Sequence, residues 1–223
     1  MRINVFLASA TRLSRRAADT AIRAGRVSIN GQTAQLGLEV GPKDIVKLDG
    51  KIIDTGNKPV RTVMLNKPAG FVCSRDGQGS KTIYDILPAE LHHLKPVGRL
   101  DKDSSGLILL TNDGQLANFL THPRHQKKKI YNVTLNKALA APDEMYINKG
   151  VKLEDGISKL GLAPLDKQRT LWQISMSEGR NRQIRRTFES LGYKVIGLHR
   201  SYFGPYKLDA LKTGDWQDCQ KML

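Results

Sequence analysis

Gly98-Arg99-Leu100-Asp101-Lys102-Asp103-Ser104-Ser105-Gly106-Leu107-Ile108-Leu109-Leu110-Thr111-Asn112-Asp113-Gly114 is the stretch on which the fold turns. Its apolar run, Leu107 to Leu110, has the length of a buried strand. Such a strand would hold the loop before it rigidly. That loop sets Asp101 between two cations, Arg99 and Lys102. Nearby positive charge favours the ionised form of a carboxylate, which suits nucleophile or base work better than proton donation. A turn aspartate that caps the loop or pairs with Lys102 accounts for the same residues. Lys102 and Asp103 carry no assigned role at this level.

A second cluster lies far along the chain, Glu178-Gly179-Arg180-Asn181-Arg182-Gln183-Ile184-Arg185-Arg186. The spacing predicts a helix from about Asn181 to Leu191, with Ile184, Phe188 and Leu191 on one face and Gly192 ending it. Arg182 and Arg186 fall on the opposite face. Arg185 lies ~100° round from Ile184, at the border of buried and exposed. From there a guanidinium can reach a partly buried carboxylate, or serve only as a solubilising edge charge. Tyr131 follows the basic run Lys127-Lys128-Lys129 and shares a strand face with Val133 and Leu135. A core aromatic is the usual fate of such a tyrosine, and a stacking platform for a base is the functional alternative.

Charge narrows the partner. The 223 residues hold 36 Lys+Arg against 21 Asp+Glu, a formal net of +15, which points to a polyanion. Nucleic acid leads. A membrane surface is weaker, since no long apolar span or basic amphipathic anchor is present. With 39% hydrophobic residues the chain can bury a sizeable core. The start, Met1-Arg2-Ile3-Asn4-Val5-Phe6-Leu7, lacks a signal-peptide layout. Cys73 and Cys219 form no spaced pattern, so buried free thiols in a cytoplasmic protein are expected. His122-Pro123-Arg124-His125 sits beside no Cys or acidic cluster, so no metal is expected.

Residues 1–53 read as one small unit. Ile3, Phe6 and Leu7 mark a first helix, and Ser14 caps a second that Gly25 closes, with Ala17, Ala18, Ala21 and Ile22 as its apolar face. Asn30-Gly31 and Asp49-Gly50 each predict a hairpin. Residues 1–30 carry six arginines (Arg2, Arg12, Arg15, Arg16, Arg23, Arg26) and one acid, Asp19. A solvated helix face is the bland explanation. The lack of interleaved acids favours phosphate binding. The run Ser14-Arg15-Arg16-Ala17-Ala18, then Ile22 to Val27, Ile29-Asn30-Gly31 and Gly41-Pro42-Lys43-Asp44-Ile45-Val46, resembles an S4 RNA-binding domain, with Ile3-Asn4 where many members have Leu-Asp.

Residues 54–61 read as a linker of turn formers, and residues 62–223 as the larger domain. Val63-Met64-Leu65 predicts a strand entering a turn at Asn66 to Gly70, and Thr82 caps a helix running to Leu87. Leu116, Phe119 and Leu120 mark a helix capped near Asn112 or Asp113, and Trp172, Ile174 and Met176 alternate as a half-buried strand. Strands and helices without βαβ rhythm define an α+β fold.

Four motifs in order carry a second resemblance: Leu65-Asn66-Lys67-Pro68-Ala69-Gly70, the opening run from Gly98 to Gly114, Lys129-Ile130-Tyr131-Asn132-Val133, and Gly179 to Arg186. Together, after an S4 domain, they resemble the RsuA-type pseudouridine synthases, which modify ribosomal RNA. The resemblance implies a mixed, mainly antiparallel sheet with a central cleft. It implies isomerisation of uridine to pseudouridine without cofactor or metal. Large-subunit ribosomal RNA is favoured as substrate and small-subunit RNA comes next. The implied partner is ribosomal RNA or a ribosome assembly intermediate, and the protein is expected to be a monomer. Asp101 matches the catalytic aspartate, Tyr131 the tyrosine that stacks on the base, and Arg185 the arginine that pairs with the aspartate. Arg99 matches the arginine that enters the space left by the flipped nucleotide, and Ile184 an aliphatic wall. Arg182, Lys67 and Lys129 are expected to contact RNA. Attack by Asp101 on C1′, attack on the base and removal of the 2′ proton all remain open. A non-catalytic S4-type assembly protein and a synthase acting on transfer RNA are the alternatives.

Overall fold

The computed structural model describes residues 1–11, 13–53 and 59–222. The chain divides into two compact units, Met1–Pro59 and Val60–Leu223.

In the first unit α1 (Ile3–Ala10) and α2 (Arg15–Arg23) precede β1 (Val27–Ile29), β2 (Gln32–Thr33), β3 (Val46–Leu48) and β4 (Lys51–Ile52). The strands lie in the order β2-β1-β3-β4. Ser14 caps α2 by accepting from the Ala17 amide at 3.0 Å, and Gly25 leaves the helix at φ +69°. Both hairpin turns place two residues at positive φ, Asn30 with Gly31 and Asp49 with Gly50, which matches the right-handed twist of the strands they join. Ile3, Leu7, Ala18, Ala21, Ile22, Val27 and Val46 close the core. Small residues on α2 let the two helices approach while Arg15, Arg16 and Arg23 stay exposed, as does Arg2. Arg26 is partnered from outside residues 1–30: its Nε donates to Asp49 Oδ1 at 2.7 Å, an acid supplied by the second hairpin. Arg12 and positions 54–58 of the linker lie outside the described residues.

The second unit is built on one sheet. Its elements are β5 (Thr62–Lys67), β6 (Lys95–Val97), β7 (Ser105–Thr111), α3 (Gly114–Thr121), β8 (Lys129–Leu135), α4 (Ala141–Lys149), β9 (Val151–Leu153), β10 (Gly156–Ser158), β11 (Gly161–Pro164), β12 (Leu171–Met176), α5 (Gln183–Glu189), β13 (Val195–Phe203), β14 (Tyr206–Lys207) and β15 (Trp216–Asp218). The main path is β11-β12-β8-β13-β7-β5-β15, with β14 beside β13 and β6 beside β7. β9 and β10 form a separate hairpin. Among the described pairings in the main sheet only β13 with β7 is parallel.

Leu107 to Leu110 are wholly buried because both sheet faces are covered. Ile108 and Leu110 join Val63, Leu65, Val133 and Phe188 on one side, and Leu107 and Leu109 join Met64, Leu116, Leu120 and Phe203 on the other. Each such side chain contributes about 1.5–3 kcal/mol, which makes this strand the anchor of the loop ahead of it. Where β7 meets β13, Gly106 has φ +104°, and a Cβ there would lie 2.3 Å from the Arg200 carbonyl oxygen. Only glycine allows that approach.

Several boundaries differ from the sequence reading. β5 continues through Asn66 and Lys67, so only Ala69 and Gly70 turn. The segment after Thr82 is a single 3₁₀ turn, Ile83–Asp85, closed by a capping box between Thr82 and Asp85. α3 is capped by Asp113, which accepts from the amides of Gln115 and Leu116. α5 begins at Gln183 instead of Asn181, because Arg182 takes a left-handed conformation at φ 46° as its N-cap, and it ends at Glu189. Cys219 is only partly buried, whereas Cys73 is buried.

Candidate active site

Within the second unit an open cleft of about 1170 Å³ brings together Arg99, Asp101, Lys129, Tyr131, Arg182, Ile184, Arg185 and Arg200. Its floor is the sheet and its wall is the loop before β7.

That loop is fastened from beneath by Lys67, which is wholly buried. The Lys67 ammonium donates to the carbonyls of Pro68 at 3.0 Å, Asp101 at 3.2 Å and Ser104 at 2.6 Å. Three acceptors match its three N–H donors. Lys67 is therefore a bracket for the Asp101 loop and not the RNA contact expected of it. Burial pulls its pKa below the ordinary lysine value, partly offset by Cys73, Asp101 and Asp103. Further ties are the Gly70 amide donating to the Lys102 carbonyl at 2.7 Å, and the Cys73 thiol 3.4 Å from both the Leu100 nitrogen and its carbonyl oxygen.

The Asp101 side chain, 36% exposed, faces the cleft with Arg182 Nη1 at 3.7 Å from its Oδ2. Lys102 turns away and donates to Ser80 Oγ at 3.1 Å. Asp103 is the hub of the arginines. Arg182 donates to its two oxygens at 3.0 and 3.2 Å. Arg185 Nε lies 3.4 Å from Oδ2, Arg185 Nη2 donates to the Asp103 carbonyl at 3.0 Å, and Nη1 donates to the Val195 carbonyl at 2.8 Å. The expected pairing of Arg185 with Asp101 is thus replaced: Arg185 holds Asp103, and Arg182 stands beside Asp101. Arg186 donates to Asp155 Oδ2 at 2.6 Å.

Partial burial pushes the Asp103 carboxyl up, but the Arg182 hydrogen bonds and the charges of Arg185 and Arg182 outweigh it and hold the pKa below the ordinary value. A carboxylate held low in the fold stabilises fully above its unfolded pKa, about 4, and loses that contribution as pH falls through the lower folded value. The clamp is therefore intact at neutral pH. Asp103→Asn is expected to slow single turnover at this cleft about tenfold by loosening both arginines. The unfolding midpoint should change little, because the Asp103 side chain is 48% exposed. A rate equal to wild type would remove Asp103 from the site.

Tyr131 lies on β8 opposite Ile174 on one side and Arg200 on the other, and is 8% exposed. It packs in the core, the usual fate of such a tyrosine, and it also lines the cleft. Ile184, at the start of α5, is 4% exposed. Arg99 is exposed at the cleft. Lys129 donates to the carbonyls of Lys127 at 3.0 Å and Ser177 at 3.2 Å, and burial pulls its pKa below the ordinary value. The sequence reading missed Asp103 and Arg200. Asp103 lay inside the opening run. Arg200 shows only as a cation at an inward position of the β13 pattern, two residues after buried Leu198. Among the described residues no group of His, Cys, Asp and Glu could hold a metal ion, and no helix is long and apolar enough to cross a membrane.

Residues 61–190 match the RNA pseudouridylate synthase family model, and residues 1–46 match the S4 domain model. An uncharacterized RNA pseudouridine synthase of Aquifex aeolicus (strain VF5) is 37% identical over 228 residues, covering 99% of this chain and 91% of that protein. The ribosomal large subunit pseudouridine synthase B of Bacillus subtilis (strain 168) is 37% identical over 224 residues, covering 96% and 90%. A crystal structure of a pseudouridylate synthase aligns with a TM-score of 0.71 at 33% identity, covering 99% of this chain and 96% of that one. The chain belongs to the RNA pseudouridylate synthase family. It is accordingly an isomerase acting on RNA, with an S4 domain ahead of an α+β catalytic unit.

Proposed function

We propose that this cleft converts a specific uridine of large-subunit ribosomal RNA to pseudouridine, with Asp101 as the catalytic carboxylate. The observation that carries the reading is convergence: Asp101, Tyr131, Arg182 and Ile184, drawn from three separate motifs, line one cleft. The substrate class follows the large-subunit enzyme of Bacillus subtilis, which this chain resembles over nearly its full length.

The reaction breaks the N1–C1′ bond, turns the uracil and joins C5 to C1′. The target nucleotide must leave its stack, at a cost of a few kcal/mol, which an unpaired loop lowers. Arg99, exposed at the cleft, fills the space it leaves. The Tyr131 ring and Ile184 hold the detached base between a flat and an apolar wall. Asp101 acts on the ribose or base from a loop fixed by Lys67. Arg182 supplies the neighbouring cation, and Arg185 positions the loop through Asp103. The exposed arginines Arg2, Arg15, Arg16 and Arg23 of the first unit, with Arg12, bind the RNA backbone. Mapping pseudouridine in both ribosomal RNAs of a strain lacking this protein should show one large-subunit uridine left unmodified. A complete set of modifications would contradict the reading.

Tyr131→Phe keeps the ring and is expected to leave RNA affinity within about twofold. If the hydroxyl takes part in proton transfer, single-turnover rates should fall about 10²-fold. Unchanged rates would confine Tyr131 to stacking.

A further inference from the structure

Arg200 has no part in the reaction as described above, yet it is the most deeply buried guanidinium at the cleft, only 2% exposed. Its Nε donates to the Leu107 carbonyl at 2.8 Å. Its guanidinium carbon lies 4.7 Å from the Phe203 ring centroid. Its Nη2 is buried and has no hydrogen-bond partner among the described residues. A guanidinium cannot shed its charge, and a buried charged donor without an acceptor is costly. The fold nevertheless fixes it there: Gly106 lets β7 press against the Arg200 backbone, and a side chain at that glycine would collide with it.

The missing acceptor has to come from the cleft, which Arg200 lines. Arg200 is paired across the sheet with Tyr131, and directly opposed residues of an antiparallel pair project to the same face. A base lying on the Tyr131 ring therefore presents its edge near Nη2. Nε is already committed to Leu107, so the two-toothed grip that guanidinium gives a phosphate is not on offer through Nε and Nη2. A carbonyl oxygen asks for one donor.

We propose that Arg200 Nη2 donates to a carbonyl oxygen of the target uracil and stabilises the negative charge that oxygen gains when the glycosidic bond breaks. This rests on the isomerisation proposed above. When N1–C1′ breaks, the bonding pair stays with the ring and its charge spreads onto O2 and O4. When C5 bonds to C1′ a pair returns, the C5 proton leaves and N1 takes up a proton, so the balance needs no oxidant or reductant. Arg200 keeps its own protons throughout. A fixed cation in a water-poor site is worth most where charge develops.

The test uses RNA oligonucleotides spanning the mapped uridine, carrying uridine, 2-thiouridine or 4-thiouridine at the target, with the wild-type protein and Arg200→Lys. A thiocarbonyl accepts hydrogen bonds poorly. One of the two thio substitutions should slow the wild-type single turnover about tenfold or more, and Arg200→Lys should slow the uridine reaction about 10²-fold. The same thio substitution should then cost Arg200→Lys little, because the bond it weakens is already gone. RNA affinity should stay within about threefold. The proposal is overturned if Arg200→Lys turns over uridine at the wild-type rate, or if the thio effect is equal in the two proteins. If the variant fails to fold, wild-type indifference to both thio substitutions overturns it alone. Absence of any wild-type product from uridine would instead refute the isomerase reading itself.

Discussion

Asp101→Asn is expected to abolish pseudouridine formation, with single-turnover rates falling at least about 10³-fold, while the protein stays folded and binds RNA. Loss of the group on which a covalent step depends costs factors of that order or larger. The fold survives because the ties from Asp101 to the loop run through its backbone: Lys67 and the Ser104 amide both donate to the Asp101 carbonyl, which asparagine keeps. The side chain itself is partly exposed, and its near cation, Arg182, retains both hydrogen bonds to Asp103. Affinity for RNA should hold or rise slightly, since a negative charge facing a polyanion is removed. Filter binding and chemical labelling of pseudouridine on the same preparation separate the two effects. A variant that remains fully active would remove Asp101 from the chemistry.

Lys67→Met is expected to destabilise the catalytic unit and to slow turnover together. Methionine matches the volume of the aliphatic stem, so little cavity is made. What disappears is the ammonium, leaving the carbonyls of Pro68, Asp101 and Ser104 without the donor they share. Leaving buried acceptors without their donor costs about 1–3 kcal/mol. The loss should appear in urea unfolding of the catalytic unit. Variant that remains folded should also turn over about 10²-fold more slowly, because the loop carrying Asp101 is no longer held in place. A stability equal to wild type would mean that Lys67 does not bracket the loop.

The legible parts of the chain were those decided by local pattern. The buried run Leu107 to Leu110 identified its strand because both faces of the sheet are covered there. Asn30-Gly31 and Asp49-Gly50 marked their hairpins through positive φ, and Ser14 and Asp113 marked helix starts through their side-chain oxygens. The site was legible as a set of residues but not as a wiring diagram. Spacing placed Arg185 at the edge of a helix facing a carboxylate. It could not show that the loop from Asp101 to Ser104 presents Asp103 to that helix, nor that a left-handed Arg182 would swing its guanidinium beside Asp101. Lys67 was misread for the same reason: a lysine beside Pro-Ala-Gly looks like an exposed turn residue until the carbonyls of a loop 34 residues later in the chain converge on it. Arg200 stayed hidden because its meaning depends on the sheet register that sets it opposite Tyr131.

Isomerisation of ribosomal RNA uridine through Asp101 can be read from unmodified large-subunit and small-subunit ribosomal RNA transcripts incubated with the purified wild-type protein or with Asp101→Asn, with pseudouridine then mapped by carbodiimide labelling and primer extension. One strong stop is expected in the large-subunit transcript with wild-type protein and none with Asp101→Asn. No stop with wild-type protein on either RNA, or the same stop with both proteins, would contradict this reading.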